Sequence, residues 1–73
     1  MMSNDQRLVH MAGQILRNFA AQGREEAIAA TAEHLTLFWA PRMKARAIAM
    51  LEEPGAELPE EVRAAFAALR HPA

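Results

Sequence analysis

Three histidines, His10, His34 and His71, are the side chains best suited to proton transfer or metal ligation near neutral pH. They fall on separate segments. His34 follows Glu33 directly, and neighbouring residues on a helix point in different directions. No two histidines stand four apart, so the helical zinc-protease spacing is missing. A site shared by His10 and His34 across two helices is the one metal arrangement left to consider; the plainer reading makes His34 a polar face residue or a hydrogen-bond donor. Nucleophilic chemistry has less to use. There is no cysteine, Ser3 lies close to the first residue, and Thr31 and Thr36 have no neighbouring base. Gly13, Gly23 and Gly55 form no phosphate-cradling loop. Glu52, Glu53, Glu57, Glu60 and Glu61 read as solvated helix ends, and the five methionines as core fill and adaptable contact surface. The residue types thus supply no catalytic, cofactor-binding or metal site. The expectation is a chain that is not an enzyme by itself and serves as one part of a larger assembly.

The elements that carry these residues are helices. Ser3, Asn4 and Asp5 are good N-cap types, and Gly23 can take a left-handed cap. Between them Leu8, Met11, Ala12, Ile15 and Phe19 repeat at helical spacing. Val9, Leu16 and Ala20 widen this stripe to about half the cylinder, beyond the ~100° arc of an ordinary surface helix. Such a helix is expected to pack on two surfaces, one of which another protein can supply. A second helix is predicted from Arg24 to Phe38 or Trp39, with Glu25 and Glu26 at its positive end. Its inner stripe is Ile28, Ala32, Leu35, Phe38 and Trp39, and Leu37 lies off it as an exposed contact. The short link at Gln22–Gly23 predicts an antiparallel hairpin. Pro41 ends the second helix and opens a third, to Leu51, with Met43, Ala47, Met50 and Leu51 on one face. Pro54 and Gly55 make a turn. Pro59 opens a last helix whose inner face is Val62, Ala65, Phe66 and Leu69, and Pro72 finishes the chain. The predicted fold is all-α: one domain over residues 1–73, a hairpin followed by two shorter helices.

Three helices carry acid near their starts, and the third reverses this. Arg42, Lys44 and Arg46 crowd its beginning, and Glu52 and Glu53 follow its end. Each misplaced exposed charge destabilises a helix by about 0.3–1 kcal/mol in low salt. Arg42 and Arg46, four apart, also repel. One reading is a partner surface that offers carboxylates or carbonyls to both arginines, since guanidinium binds such groups in a bidentate way. The other is a solvated basic face salted by Glu52 or Glu57. The run Phe38-Trp39-Ala40-Pro41-Arg42-Met43 joins this charge to the only tryptophan, and aromatics, arginine and methionine are enriched in binding hot spots. Phe38 is read as a core plug. Trp39 is read as shared, one edge inward and one offered outward. Leu37, Trp39, Pro41, Arg42, Met43 and Arg46 are therefore the candidate partner interface.

Size and charge narrow the classes. A chain of 73 residues buries only about 60% of its unfolded surface. Without cysteine it has no disulfide staple, which leaves a partner subunit as the common remedy. The formal net charge of -1 disfavours a sequence-blind nucleic-acid binder. No apolar run approaches the ~20 residues of a bilayer span, and no basic segment leads into an apolar one as in a signal peptide. The expectation is a cytoplasmic protein with no membrane partner.

Three blocks then point to a family. Leu8-Val9-His10-Met11-Ala12-Gly13-Gln14-Ile15, His34-Leu35-Thr36-Leu37-Phe38-Trp39-Ala40-Pro41-Arg42-Met43 and Leu58-Pro59-Glu60-Glu61-Val62-Arg63 resemble the delta subunit of cytoplasmic NAD-dependent formate dehydrogenases. The resemblance covers nearly the whole chain, and Phe-Trp-x-Pro-Arg-Met is its most specific element. Gly13, Ala40 and Lys44 stand where that pattern usually has asparagine, an acid and arginine. Losing the acid before Pro41 leaves the basic cluster less neutralised. The resemblance implies a non-catalytic subunit that docks on the catalytic (alpha) subunit, stabilises it or helps it gain its cofactors. The complex it implies oxidises formate to carbon dioxide and reduces NAD. Its other subunits would carry a molybdenum or tungsten pterin, iron–sulfur clusters, FMN and the NAD site, with no cofactor on this chain. Two other readings stay open at this stage. One is a free-standing adaptor, including a helix-turn-helix DNA reader whose third helix begins with arginines. The other is a self-associating bundle.

Overall fold

The computed structural model describes residues 1–70; His71 and Pro72, named above, lie outside the described residues. Among the described residues there are four α-helices and no strand: α1 (Asn4–Asn18), α2 (Arg24–Phe38), α3 (Pro41–Met50) and α4 (Glu60–Ala68). None is long and apolar enough to cross a membrane.

Local chemistry sets the boundaries. Ser3 caps α1 through a reciprocal pair: the Gln6 amide N–H donates to Ser3 Oγ at 3.1 Å, and the Ser3 amide donates to Gln6 Oε1 at 2.8 Å. The first helix stops earlier than its apolar stripe suggests. It ends at Asn18, and a single 3-10 turn, Ala20–Gln22, carries the chain to Gly23. That tighter turn satisfies the carbonyls of Phe19 and Ala20 with the N–H groups of Gln22 and Gly23. Gly23 has φ 98° and ψ 158°, a conformation open to glycine and strained for other residues. It folds α2 back onto α1. Pro41 occupies the first turn of α3, and Pro59 is the N-cap of α4.

The core lies between α2 and α4, which pack on each other most extensively, with α1 and α3 closing its sides. Phe66, Leu35, Met50 and Val62 are fully enclosed, and Leu8, Ala12, Leu16, Ala47 and Leu69 complete the cluster. The predicted inner face of α4 is buried throughout. In α1, Leu8, Ala12 and Leu16 are buried, while Val9, Met11, Ile15 and Phe19 pack half-buried around them.

The expected inner stripe of α2 needs correction. Phe38 is not a core plug; it is 71% exposed. Ala27 and Thr31 take the inner face that was assigned in part to Phe38. The reason is axial rather than angular. Ala27, Thr31, His34 and Phe38 share one helical row, and burial fades along it: the first two buried, His34 half-buried, Phe38 exposed. Thr31 and Phe38 are separated by about 10 Å of rise, and over that distance α2 leaves the neighbours that cover its row. Trp39 lies one residue beyond the helix, in extended backbone (φ -80°, ψ 140°). It turns back into the core, is 7% exposed, and sets its ring 6.0 Å from that of Phe66 at a 57° tilt. Both edges of the indole are thus covered by this chain.

Two expectations follow for stability. Trp39→Ala should lower the unfolding free energy by about 3–5 kcal/mol, whereas Phe38→Ala should change it by no more than about 0.5 kcal/mol. Urea unfolding of the two variants checks this, and comparable losses would contradict the assignment of inside and outside. Thr31 is fully buried, and its hydroxyl has no hydrogen-bond partner among the described residues. Thr31→Val keeps the shape and removes the unpaired group, so it should stabilise the fold by about 1 kcal/mol. A lowered midpoint would show that the hydroxyl has a partner after all.

Candidate docking face

The reversed charges of α3 find partners across the corner that Pro41 creates. Lys44 Nζ donates to the Thr36 carbonyl at 3.0 Å. That carbonyl belongs to the last turn of α2, where the helix dipole is negative and a cation is favoured. A lysine badly placed for its own helix thus serves the helix before it. Thr36 Oγ1 in turn donates to the Ala32 carbonyl at 2.8 Å.

Arg46 is engaged more fully. Its Nε and Nη2 donate to the two oxygens of Asp5 at 2.8 and 2.6 Å. Its Nη1 and Nη2 donate to Glu53 at 2.7 and 2.9 Å. One guanidinium therefore holds the first turn of α1, the middle of α3 and the turn after α3 together, with both carboxylates in fork geometry. The Arg46 hydrogen bonds are the main reason the Asp5 carboxyl is held below its ordinary pKa, and Asp5 and Glu53 together raise that of the guanidinium. The carboxylates sought on a partner for Arg46 are supplied by this chain. Glu53 fills the role that Glu52 or Glu57 was expected to play, and Glu52 instead pairs with Arg70 at the end of α4.

Arg42 is different. It is exposed, and among the described residues it has no ion pair or side-chain hydrogen bond. Beside it along the chain lie Leu37, 67% exposed, and Phe38, 71% exposed. The Phe38 ring rests on His34, centroids 4.7 Å apart and tilted by 43°, which holds the phenyl in place without covering it. Pro41 is exposed, and Met43 is half-buried against the core. The α2–α3 corner therefore offers a leucine, a phenylalanine, a proline and an unpaired arginine. Trp39 and Arg46 shape it from beneath. Phe38 is the residue that sequence reasoning left out of this face. Its neighbour Leu37, on the polar side of α2, was the available sign that apolar side chains at the end of the helix face outward.

No group of three or more His, Asp or Glu side chains among the described residues could hold a metal. His10 and His34 are not drawn into one.

The first turn of α1 yields a pH prediction. A depressed carboxyl pKa means that the Asp5–Arg46 contact stabilises the fold above the ordinary value of 3.8 and is lost as pH falls through the lower folded value. Asp5→Asn should therefore be less stable than the natural protein at pH 7, with a gap that closes below about pH 4. Thermal unfolding from pH 7 to pH 2.5 checks this; a gap unchanged across that range would remove the ion pair as its cause.

The family model "NADH-dependant formate dehydrogenase delta subunit FdsD" matches residues 7–66 of the chain. No curated protein and no solved structure matches it. The match takes in most of α1, all of α2 and α3 with the corner between them, and most of α4. The chain belongs to this family of formate dehydrogenase delta subunits.

Proposed function

From its place in the delta-subunit family, we propose that this chain is a non-catalytic subunit that docks on the catalytic (alpha) subunit of a cytoplasmic formate dehydrogenase and stabilises it. The observation that carries the reading is the pair of exposed apolar side chains, Leu37 and Phe38, beside the unpaired Arg42. A phenylalanine left in water forgoes about 1.5–3 kcal/mol of burial. A small domain has little apolar material to spare, so an outward phenylalanine supports a surface that a partner covers. Arg42 adds direction, because a guanidinium at the edge of an apolar patch selects a carboxylate opposite it.

The interface expected from the sequence is thereby redrawn. Leu37, Phe38, Pro41 and Arg42 make the contact, Met43 lies at its edge, and Trp39 and Arg46 hold its shape. Lys44 and Arg46 are committed within the chain, which leaves α3 poorly equipped to track a phosphate backbone. The chain has no cysteine to ligate an iron–sulfur cluster. In this reading the molybdenum or tungsten pterin, the clusters, FMN and NAD all sit on other subunits, which carry out formate oxidation.

The test is co-purification from the chain's own host. Tagged natural protein should bring the catalytic subunit in fixed proportion. Phe38→Asp combined with Arg42→Glu should lower that recovery at least about tenfold, the effect of losing one hot-spot contact of about 1.4 kcal/mol or more. Circular dichroism should show the helices intact. Full recovery with the double variant would move the interface elsewhere. Natural protein that returns alone would end the docking reading.

A further inference from the structure

A trough runs along α1 beside the loop that leads into α4. It has two adjoining parts, of about 390 and 660 Å³, which share Val9 and His10 in their linings. The floor along α1 is Val9, Gly13 and Leu16, and the opposite wall includes Leu58 and Val62. Val9 and Leu58 are only half-buried by this chain.

Two features say what the trough takes. The first is charge. Asp5, Glu53, Glu57 and Glu61 line it, against Arg17 as the one permanently charged cation among its lining residues. Arg46 neutralises one of the first two carboxylates. Glu57 and Glu61 have no ion pair among the described residues. The rim is therefore acidic, opposite in sign to the α2–α3 corner. The second is Gly13. Glycine weakens a helix interior relative to alanine, and nothing in the fold asks for it here. A Cβ at Gly13 would meet only the flexible end of Arg17, Nη1 at 3.9 Å. The missing side chain deepens the floor where another backbone could come close.

We propose that this trough receives a basic amphipathic helix from another subunit of the same complex. Its apolar stripe lies over Val9, Gly13 and Leu16, and its lysines or arginines face Glu57 and Glu61. The 15-residue α1 is about 22 Å long, so the occupant makes three to four turns in contact. The proposal rests on the subunit role argued above but uses a different surface of opposite charge, so the chain would hold two segments at once.

The experiment places a photo-cross-linking amino acid at His10, which is exposed and lines both parts of the trough. The purified complex is irradiated and the linked peptides are identified. The expected product joins this chain to another subunit, through a segment with net positive charge and apolar residues three and four apart. Gly13→Leu, which fills the floor without replacing a buried residue, should lower its yield at least tenfold, and so should Glu57→Lys. Neither should affect recovery through the corner. A link to a second copy of this chain or to an acidic segment overturns the proposal. So does the absence of any link in a complex that retains the chain, or an unchanged yield in both variants. Loss of the catalytic subunit from the natural preparation would overturn the docking reading together with it.

Discussion

The contact between Trp39 and Phe66 is the constraint on which the rest of this fold turns. An indole is the largest side chain the protein has, and it sits one residue past the end of α2. It packs against Phe66 of α4 at the point where the backbone leaves helical geometry ahead of Pro41. The chain then restarts as α3 after a single residue, with Pro41 supplying a helical φ and lacking an N–H to leave unpaired. The corner is thus fixed from inside. Its sharpness brings Lys44 within reach of the last turn of α2 and sends Arg46 toward the start of α1.

The charge pattern of α3 makes sense only in this light. Taken alone, a helix that opens with three cations opposes its own dipole. In the folded chain the beginning of α3 lies beside the end of α2, so the field there is set by two helices. A cation unfavourable to one is favourable to the other, and the Lys44–Thr36 contact decides in favour of α2. Arg46 escapes the same conflict by gathering two carboxylates. Because those groups are partly open to water, the clasp contributes more to orientation than to stability. It sets the angle at which α3 leaves the corner.

Much of this architecture was legible because its signals are local. Ser3 with Gln6, Gly23, Pro41 and Pro59 act within a few residues, and each marks an element boundary close to where it was expected. The inner face of α4 was equally plain, because that helix lies in the middle of the core and is covered along its length. Family membership was legible for another reason: the three blocks that carry it all lie within the matched span, 7–66. What escaped was what depends on where a neighbour ends. A helical wheel puts Phe38 in the same row as Thr31 and cannot show that the row runs out of cover. Nor can it pair Arg46 with Asp5, 41 residues away, or show that Lys44 serves a helix other than its own.

Phe38 and Trp39 carry the strongest functional argument. Two adjacent aromatics had to be divided between inside and outside, and geometry gave the interior to the larger one. Had the remaining phenylalanine been only a by-product of that choice, a polar residue would serve better at the end of a helix in water. Its outward neighbour Leu37 would be no less replaceable. Instead two successive apolar side chains are exposed on a chain that has three phenylalanines and one tryptophan in all, a few residues before Arg42, the α3 cation with no ion pair among the described residues. A domain this short of core material gains nothing from that arrangement while it is alone. Cover from another surface would supply the gain, and the docking role proposed for the corner is in this way tied to the packing of Trp39 on the inside.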